Sequence, residues 1–293
     1  MATGTNKSLV KKGKQALNSN TERALAFIGA GNMASSIFGG LIKNGIDPTM
    51  IRVSDPDSLQ RTKASKLGIQ TFEKNSDCVK DAGFIIICVK PQLAKTVCKT
   101  LELSDNQVLI SIAAGISLLS LENWLPGNQP IIRGMPNTPA LIQQGITALY
   151  ANDYTTQAQR TEADKILSAI GETLWVDHEE KIDVVTAVSG SGPAYFFYLM
   201  EHMIQAGKEL GITEEEAIQL TIQTALGSAK LASIDRSDHP RLLRQRVTSP
   251  GGTTQRAIET FEAHKLNEII KLGIKNARNR SADLSLEFGE SSE

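Results

Sequence analysis

The chain is poor in the groups that mark several whole classes of protein. It has three cysteines, Cys78, Cys88 and Cys98, and no CxxC pairing among them. An odd number of thiols in a chain of 293 residues fits buried side chains in a reducing compartment, not a disulfide framework, and their spacing offers no zinc site. The four histidines, His178, His202, His239 and His264, show no HxxxH spacing, so no metal is expected. The longest apolar run, residues 84–89, is strand-sized and far below the ~18 residues of a membrane helix. Charge is balanced, 31 basic residues against 32 acidic, which argues against nucleic acid as a partner. The opening "MATGTNKSLVKKGKQALNSNTER" has four lysines and no apolar block, so it does not read as a secretory signal; a transit peptide would want arginines. The expectation is a cytoplasmic protein with a disordered leader over residues 1–22.

What is present has a clear order. The length suggests two domains. β-branched, nearly continuous apolar runs recur at residues 24–29, 50–55, 84–91, 108–115, 130–137 and 146–151, with one more at 173–177. Such runs suit strands covered on both faces, and the amphipathic segments between them end in glycine, as crossover helices do. This is βαβ order and predicts a parallel sheet. From Lys181 the spacing becomes helical almost throughout; Thr213 and Glu216, ahead of the run Ala217, Leu220, Ile222, Leu226, form a capping box. The fold class is therefore α/β: a doubly wound sheet domain over 23–180, followed by an all-α domain over 181–285. A polar, unstructured tail is expected at 286–293.

Within this frame "FIGAGNMASSIFGG" places Gly29, Gly31 and Ala34 in a G-x-G-x-x-A pattern directly after a strand and opening a helix. Gly29 permits the tight turn, Gly31 lets backbone approach a pyrophosphate, and Ala34 allows close packing of helix on strand. A dinucleotide is implied. Asp55 ends the second strand, where an acid can accept from ribose hydroxyls and repel a 2′-phosphate; Ser54 adjoins it, and Arg61 lies within reach of such a phosphate. Asp55-Pro56 read as a turn and helix cap is a third possibility, and the sequence leaves all three open. "CVKP" and "AAG" lie at the carboxyl ends of apolar strands, the edge where open α/β sheets bind ligands. "RGMPNTP" (133–139) is a rigid loop that either supports a nicotinamide amide or caps the next segment.

In the helical half, "AVSGSGPAYFFYLMEHMIQAGKELG" begins with small residues that permit close approach. Its cluster Tyr195, Phe196, Phe197, Tyr198 reads as core or dimer surface. The stretch "TSPGGTTQRAIE" (248–259) sets proline, two glycines and hydroxyls before a helix, with no group that titrates near neutrality. A cap and turn would need one hydroxyl and hardly a double glycine, so a carboxylate site built from main-chain N–H groups is the favoured reading.

The ordered set "GAGNMA", "CVKP", "AAG", "RGMPNTP", "VSGSGPAY" and "TSPGGTT" resembles the pyrroline-5-carboxylate reductase family over about residues 23–285. The resemblance implies a Rossmann domain followed by a helical domain that forms an intertwined homodimer, with larger assemblies of dimers in the family. It implies hydride transfer from NAD(P)H to C5 of a small-molecule cyclic imine, giving L-proline. Ser249, Gly251, Gly252, Thr253 and Thr254 would hold the substrate carboxylate, with Thr254 Oγ1 as the catalytic hydrogen-bonding group at the ring nitrogen. Cofactor contacts would fall to Gly29, Ala30, Gly31, Asn32, Met33, Asn75, Val89, Lys90, Pro91, Ala113 and Ala114, and by position to Ser54 and Asp55. The family favours NADPH, whereas many members lack an acid at the position of Asp55; NADPH is the first expectation and NADH the second. A hydroxyacid dehydrogenase would need a lysine that residues 189–203 do not supply. A dinucleotide sensor without catalysis would leave the hydroxyl-glycine loop unexplained.

Overall fold

The computed structural model of the protein describes residues 23–234 and 236–290. Its strands are β1 Ala24–Ile28, β2 Ile51–Ser54, β3 Gln70–Phe72, β4 Ala82–Ile87, β5 Val108–Ser111, β6 Ile131–Met135, β7 Gly145–Ala151 and β8 Gly171–Trp175. They form one sheet in the order β3-β2-β1-β4-β5-β6-β7-β8. From β3 to β6 every neighbour is parallel, and the strand order reverses between β1 and β4, the switch point at which doubly wound sheets bind dinucleotides. The unbroken apolar runs are explained by alternation. In β1, Leu25 and Phe27 enter one core and Ala26 and Ile28 the other, all four at most 1% exposed. Burying a side chain such as Phe27 contributes about 1.5–3 kcal/mol, and its ring meets Phe38 edge-on at 5.8 Å.

Two features depart from the sequence reading. Strand β3 is too short and polar to carry a pattern; it is an edge strand held to β2 by main-chain pairing. Strand β7 runs antiparallel to β6, the one such pair among the described residues in an otherwise parallel sheet. The link between Met135 and Gly145 is mostly one 3₁₀ turn, Thr138–Ile142, and a parallel return needs a crossover of about a dozen residues.

The crossover helices are α1 Asn32–Lys43, α2 Ser58–Ser65, α3 Asn75–Val79, α4 Pro91–Lys99, α5 Leu118–Trp124 and α6 Gln157–Leu167. Helix α1 packs Ile37, Phe38 and Leu41 into one core, while α4 and α5 pack Ala94, Cys98 and Leu121 into the other. The helical half comprises α7 Lys181–Val185, a π-helical turn at Thr186–Gly190, α8 Gly192–Glu209, α9 Glu214–Ile234, α10 Pro240–Arg246, α11 Thr253–Ala263 and α12 Leu266–Glu290. The capping box ahead of α9 is formed: Thr213 N–H donates to Glu216 Oε2 at 2.8 Å, and Glu216 N–H to Thr213 Oγ1 at 3.2 Å.

The expectation of an unstructured tail from 286 is corrected, since α12 continues to Glu290. Its last turns return to the sheet domain, where Phe288 packs on the second core and Leu284 and Phe288 press on Gly115. The expectations for residues 1–22 and 291–293 fall outside the described residues.

Along α8 and α9 the burial logic inverts. Phe196, Phe197 and Tyr198 are 64–65% exposed, and Leu220, Ile222, Leu226 and Leu231 are exposed with them. A contiguous apolar surface of this kind marks an interaction face.

Candidate active site at the switch point

The carboxyl ends of β1, β4 and β5 meet where the strand order reverses. Gly29 follows β1 at φ +95°, a region that favours glycine, and its N–H donates to the Ser54 carbonyl at 2.8 Å. A Cβ at Gly29 would lie 3.0 Å from the Cys88 carbonyl oxygen, so the fold itself requires glycine here. Gly31 is different. Its backbone is ordinary, at φ −67° and ψ −176°, and a Cβ there would meet nothing within 4 Å. No packing inside the chain explains why this residue is so small. Gly31 is the N-cap of α1 and offers no side-chain cap, so the opening amides of the helix face outward without one. Bare main chain, open space and the positive end of a helix fit the pyrophosphate of a dinucleotide. Ala34 is fully buried against the sheet, as its place in the pattern predicts.

Beside this loop, Asp55 Oδ2 accepts from the Ala30 N–H at 2.8 Å and Oδ1 from the Asp57 N–H at 2.8 Å. Arg61 Nη1 donates to the carbonyls of Asp55 and Pro56. Ser54 is fully buried, and its hydroxyl donates to Asn75 Oδ1 at 2.8 Å; these two predicted cofactor residues are bonded to each other. Val89 and Pro91 are half-buried and Lys90 is exposed, with Lys90 as the N-cap of α4. Ala113 is buried and Ala114 half-buried after β5. Gly115 turns away at φ +71°, where a Cβ would lie 3.1 Å from the Phe288 ring and 3.2 Å from Leu284 Cβ. Burial pushes the Cys78 thiol up to about 11 and Cys98 to about 12, which marks both as inert.

The two halves are joined by contacts that sequence reasoning missed. Asn137 Nδ2 donates to the Ser189 carbonyl at 3.1 Å, while its Oδ1 accepts from the Ile146 N–H at 3.0 Å. The "MPNTP" loop thus holds the π turn of "VSGSG" in place. Gly190, in that turn, approaches Met135 so closely that a Cβ would fall 2.7 Å from its Cε. Arg133, 4% exposed, pairs with Glu179 Oε1 at 2.7 Å and lies 3.9 Å from Asp183 Oδ1. Glu179 Oε1 also accepts from the Leu118 N–H, and Asp183 Oδ1 from Ser281 Oγ. One buried guanidinium therefore ties β6 to α5, α7 and α12. An arginine inside the apolar run "PIIRGM" was the available signal.

The segment at 249–254 is exposed or half-buried throughout. Two of the amides counted as donors are already engaged: Gly251 N–H donates to Gln255 Oε1 at 2.8 Å, and Gly252 N–H to the Ser249 carbonyl at 3.0 Å. Beyond them α11 begins at Thr253, with Gly252 as an N-cap that supplies no side-chain bond, so the helix's opening N–H groups belong to Thr253 and Thr254. Gly251, at φ +69°, makes the turn into the helix. No hydrogen bond or ion pair among the described residues joins this segment to the glycine loop or to the ends of β4 and β5.

Comparison with known proteins accounts for both halves. The family model for pyrroline-5-carboxylate reductase dimerisation matches residues 179–284, and one for coenzyme F420-dependent NADP oxidoreductases matches residues 24–115. The chain is 48% identical over 269 residues to pyrroline-5-carboxylate reductase of Pseudomonas aeruginosa, covering 91% of this chain and 98% of the relative. The solved pyrroline-5-carboxylate reductase of Coxiella burnetii superposes with a TM-score of 0.85 at 38% identity, covering 90% of this chain and 98% of that one. The Plasmodium falciparum pyrroline carboxylate reductase, solved with NADP bound, gives 0.80 at 25% identity, covering 91% and 99%. With the glycine loop at the switch point and the helical half both matched, the chain belongs to the pyrroline-5-carboxylate reductase family.

Proposed function

We propose a division of labour in which residues 23–180 hold NAD(P)H, residues 181–285 hold the imine, and two copies of the chain complete each site. The chain is an NAD(P)H-dependent oxidoreductase that reduces 1-pyrroline-5-carboxylate to L-proline. The observation that carries this reading is Gly31: nothing in the protein needs a glycine there, and a pyrophosphate does.

The amides opening α1 hold the pyrophosphate, and Ala113 and Ala114, braced by α12 through Gly115, bear on the nicotinamide. Bound there, the reduced nicotinamide supplies a hydride. Thr253 and Thr254 amides grip the substrate carboxylate, and Thr254 Oγ1 accepts from the protonated ring nitrogen. The iminium gains a hydride at C5 and becomes the neutral amine, so no side chain has to donate a proton in that step. Orientation and charge placement are what the protein contributes.

A homodimer is supported by three observations: the exposed apolar face of α8 and α9, the segment at 249–254 lying open and unjoined to the cofactor edge, and the dimerisation family over 179–284. A cytoplasmic location is supported by three free cysteines, Cys78 and Cys98 buried and Cys88 partly so; among the described residues no helix is long and apolar enough to cross a membrane.

The purified protein is expected to consume NADPH or NADH when given pyrroline-5-carboxylate, read as loss of reduced-nicotinamide absorbance. No consumption with either cofactor refutes the assignment. Phe197→Glu places charge on the exposed apolar face and is expected to halve the sedimenting mass and abolish activity; an unchanged mass refutes that interface.

A further inference from the structure

We propose that Phe288 is a positioning residue for the nicotinamide: from the last turn of α12 it fixes the loop of Ala113, Ala114 and Gly115, and leaves the rest of the dinucleotide untouched. This rests on the cofactor reading above and deepens it. Between the end of β5 at Ser111 and the start of α5 at Leu118 the main chain is held loosely. Ala113 N–H donates to the Ser111 hydroxyl at a long 3.4 Å, and no hydrogen bond among the described residues engages the main chain of Ala114 or Gly115. Gly115 turns at φ +71° and brings no side chain with which to anchor the turn.

The hold comes from the helical half. Ser281, Leu284 and Phe288 recur at helical spacing along one face of α12. Ser281 anchors that face: it is buried, and its hydroxyl donates to Asp183 Oδ1 at 2.7 Å. Further along, the Phe288 ring and Leu284 cover Gly115 so closely that a Cβ there would lie 3.1 Å from the ring and 3.2 Å from Leu284 Cβ. Gly289 comes up against α5, where a Cβ would lie 2.9 Å from Ser120 Oγ. Packing is thus what restrains the loop, and a loop held by packing loosens when the covering ring is removed. The pyrophosphate end of the site is built on other elements, Gly29 and Gly31 after β1 and the opening of α1. Loss of the ring therefore acts on one end of the dinucleotide. Ordering the loop becomes a cost of binding the nicotinamide, and the nicotinamide meets the imine in a spread of orientations.

The test is direct titration, without imine, of the full chain and its Phe288→Ala variant. The ligands are the reduced dinucleotide and the matching ADP-ribose, 2′-phosphorylated where NADPH is the dinucleotide. ADP-ribose keeps the pyrophosphate and both riboses and lacks only the nicotinamide. Phe288→Ala is expected to weaken the dinucleotide about two- to tenfold, the cost of ordering one loop, with ADP-ribose binding unchanged. Its kcat is expected to fall about tenfold, because the nicotinamide is misplaced. Phe288→Leu, which again covers Gly115 with an apolar side chain, is expected to restore most of both. Unchanged dinucleotide affinity in Phe288→Ala overturns the proposal. Equal loss of ADP-ribose also overturns it, since the ring would then serve the fold of the domain as a whole. A protein that shows the split in binding and yet reduces no imine supports this placement and refutes only the proposed reaction.

Discussion

The two glycines of the nucleotide loop should separate stability from cofactor binding. Gly29→Ala puts a side chain at φ +95° with its Cβ 3.0 Å from the Cys88 carbonyl oxygen. Backbone strain of this kind costs ~1–3 kcal/mol, and the contact with carbonyl backbone adds to it. A loss of at least ~2 kcal/mol in unfolding free energy is expected. Gly31→Ala is the opposite case. Its φ is −67°, the added methyl meets no protein atom within 4 Å, and restricting the unfolded chain gives up to about 1 kcal/mol of stabilisation. The same methyl stands where main chain must approach the pyrophosphate. Overpacking by one carbon costs ~1–3 kcal/mol, so cofactor affinity should fall by about five- to 150-fold. Urea unfolding at fixed protein concentration without dinucleotide measures the first effect, and calorimetric titration with dinucleotide the second. If Gly31→Ala destabilises the protein as much as Gly29→Ala, or binds cofactor normally, the site has been placed wrongly.

Two further outcomes follow from named contacts. Arg133→Met removes the guanidinium from the Glu179 and Asp183 carboxylates, leaving them the Leu118 N–H and the Ser281 hydroxyl; a loss of about 3 kcal/mol is expected by denaturant unfolding, and less than ~1 kcal/mol would show that Arg133 does not tie β6 to α5, α7 and α12. Under the proposed placement of its hydroxyl at the imine, Thr254→Ala should lower kcat about tenfold or more while leaving the dinucleotide Kd unchanged; an equal loss of cofactor affinity would misplace that threonine.

Periodicity made most of the fold legible. Continuous β-branched runs suit strands covered on both faces, as β1, β4, β5 and β6 are, and Thr213 with Glu216 announces its helix because a capping box is a local device. The short polar β3 was invisible because its pairing is main-chain and indifferent to side chains. The direction of β7 was invisible because it depends on the length of a link, not on the strand's own residues. The tail was misread for a related reason: "SLEFGESSE" is polar as a string, yet its Phe288 finds Gly115 from more than 150 residues away.

The candidate site divides along the same line. By itself the sequence singled out the stretches in which backbone is left bare, Gly29, Gly31 and the hydroxyl-glycine run before α11. Only the tertiary structure decided which of those glycines the fold itself requires, which amides of residues 249–254 remain for a ligand, and that Asp55 answers to the glycine loop and not to its own helix. Those are questions of distance between segments far apart in the chain, and a string of residues carries composition and spacing but no distances.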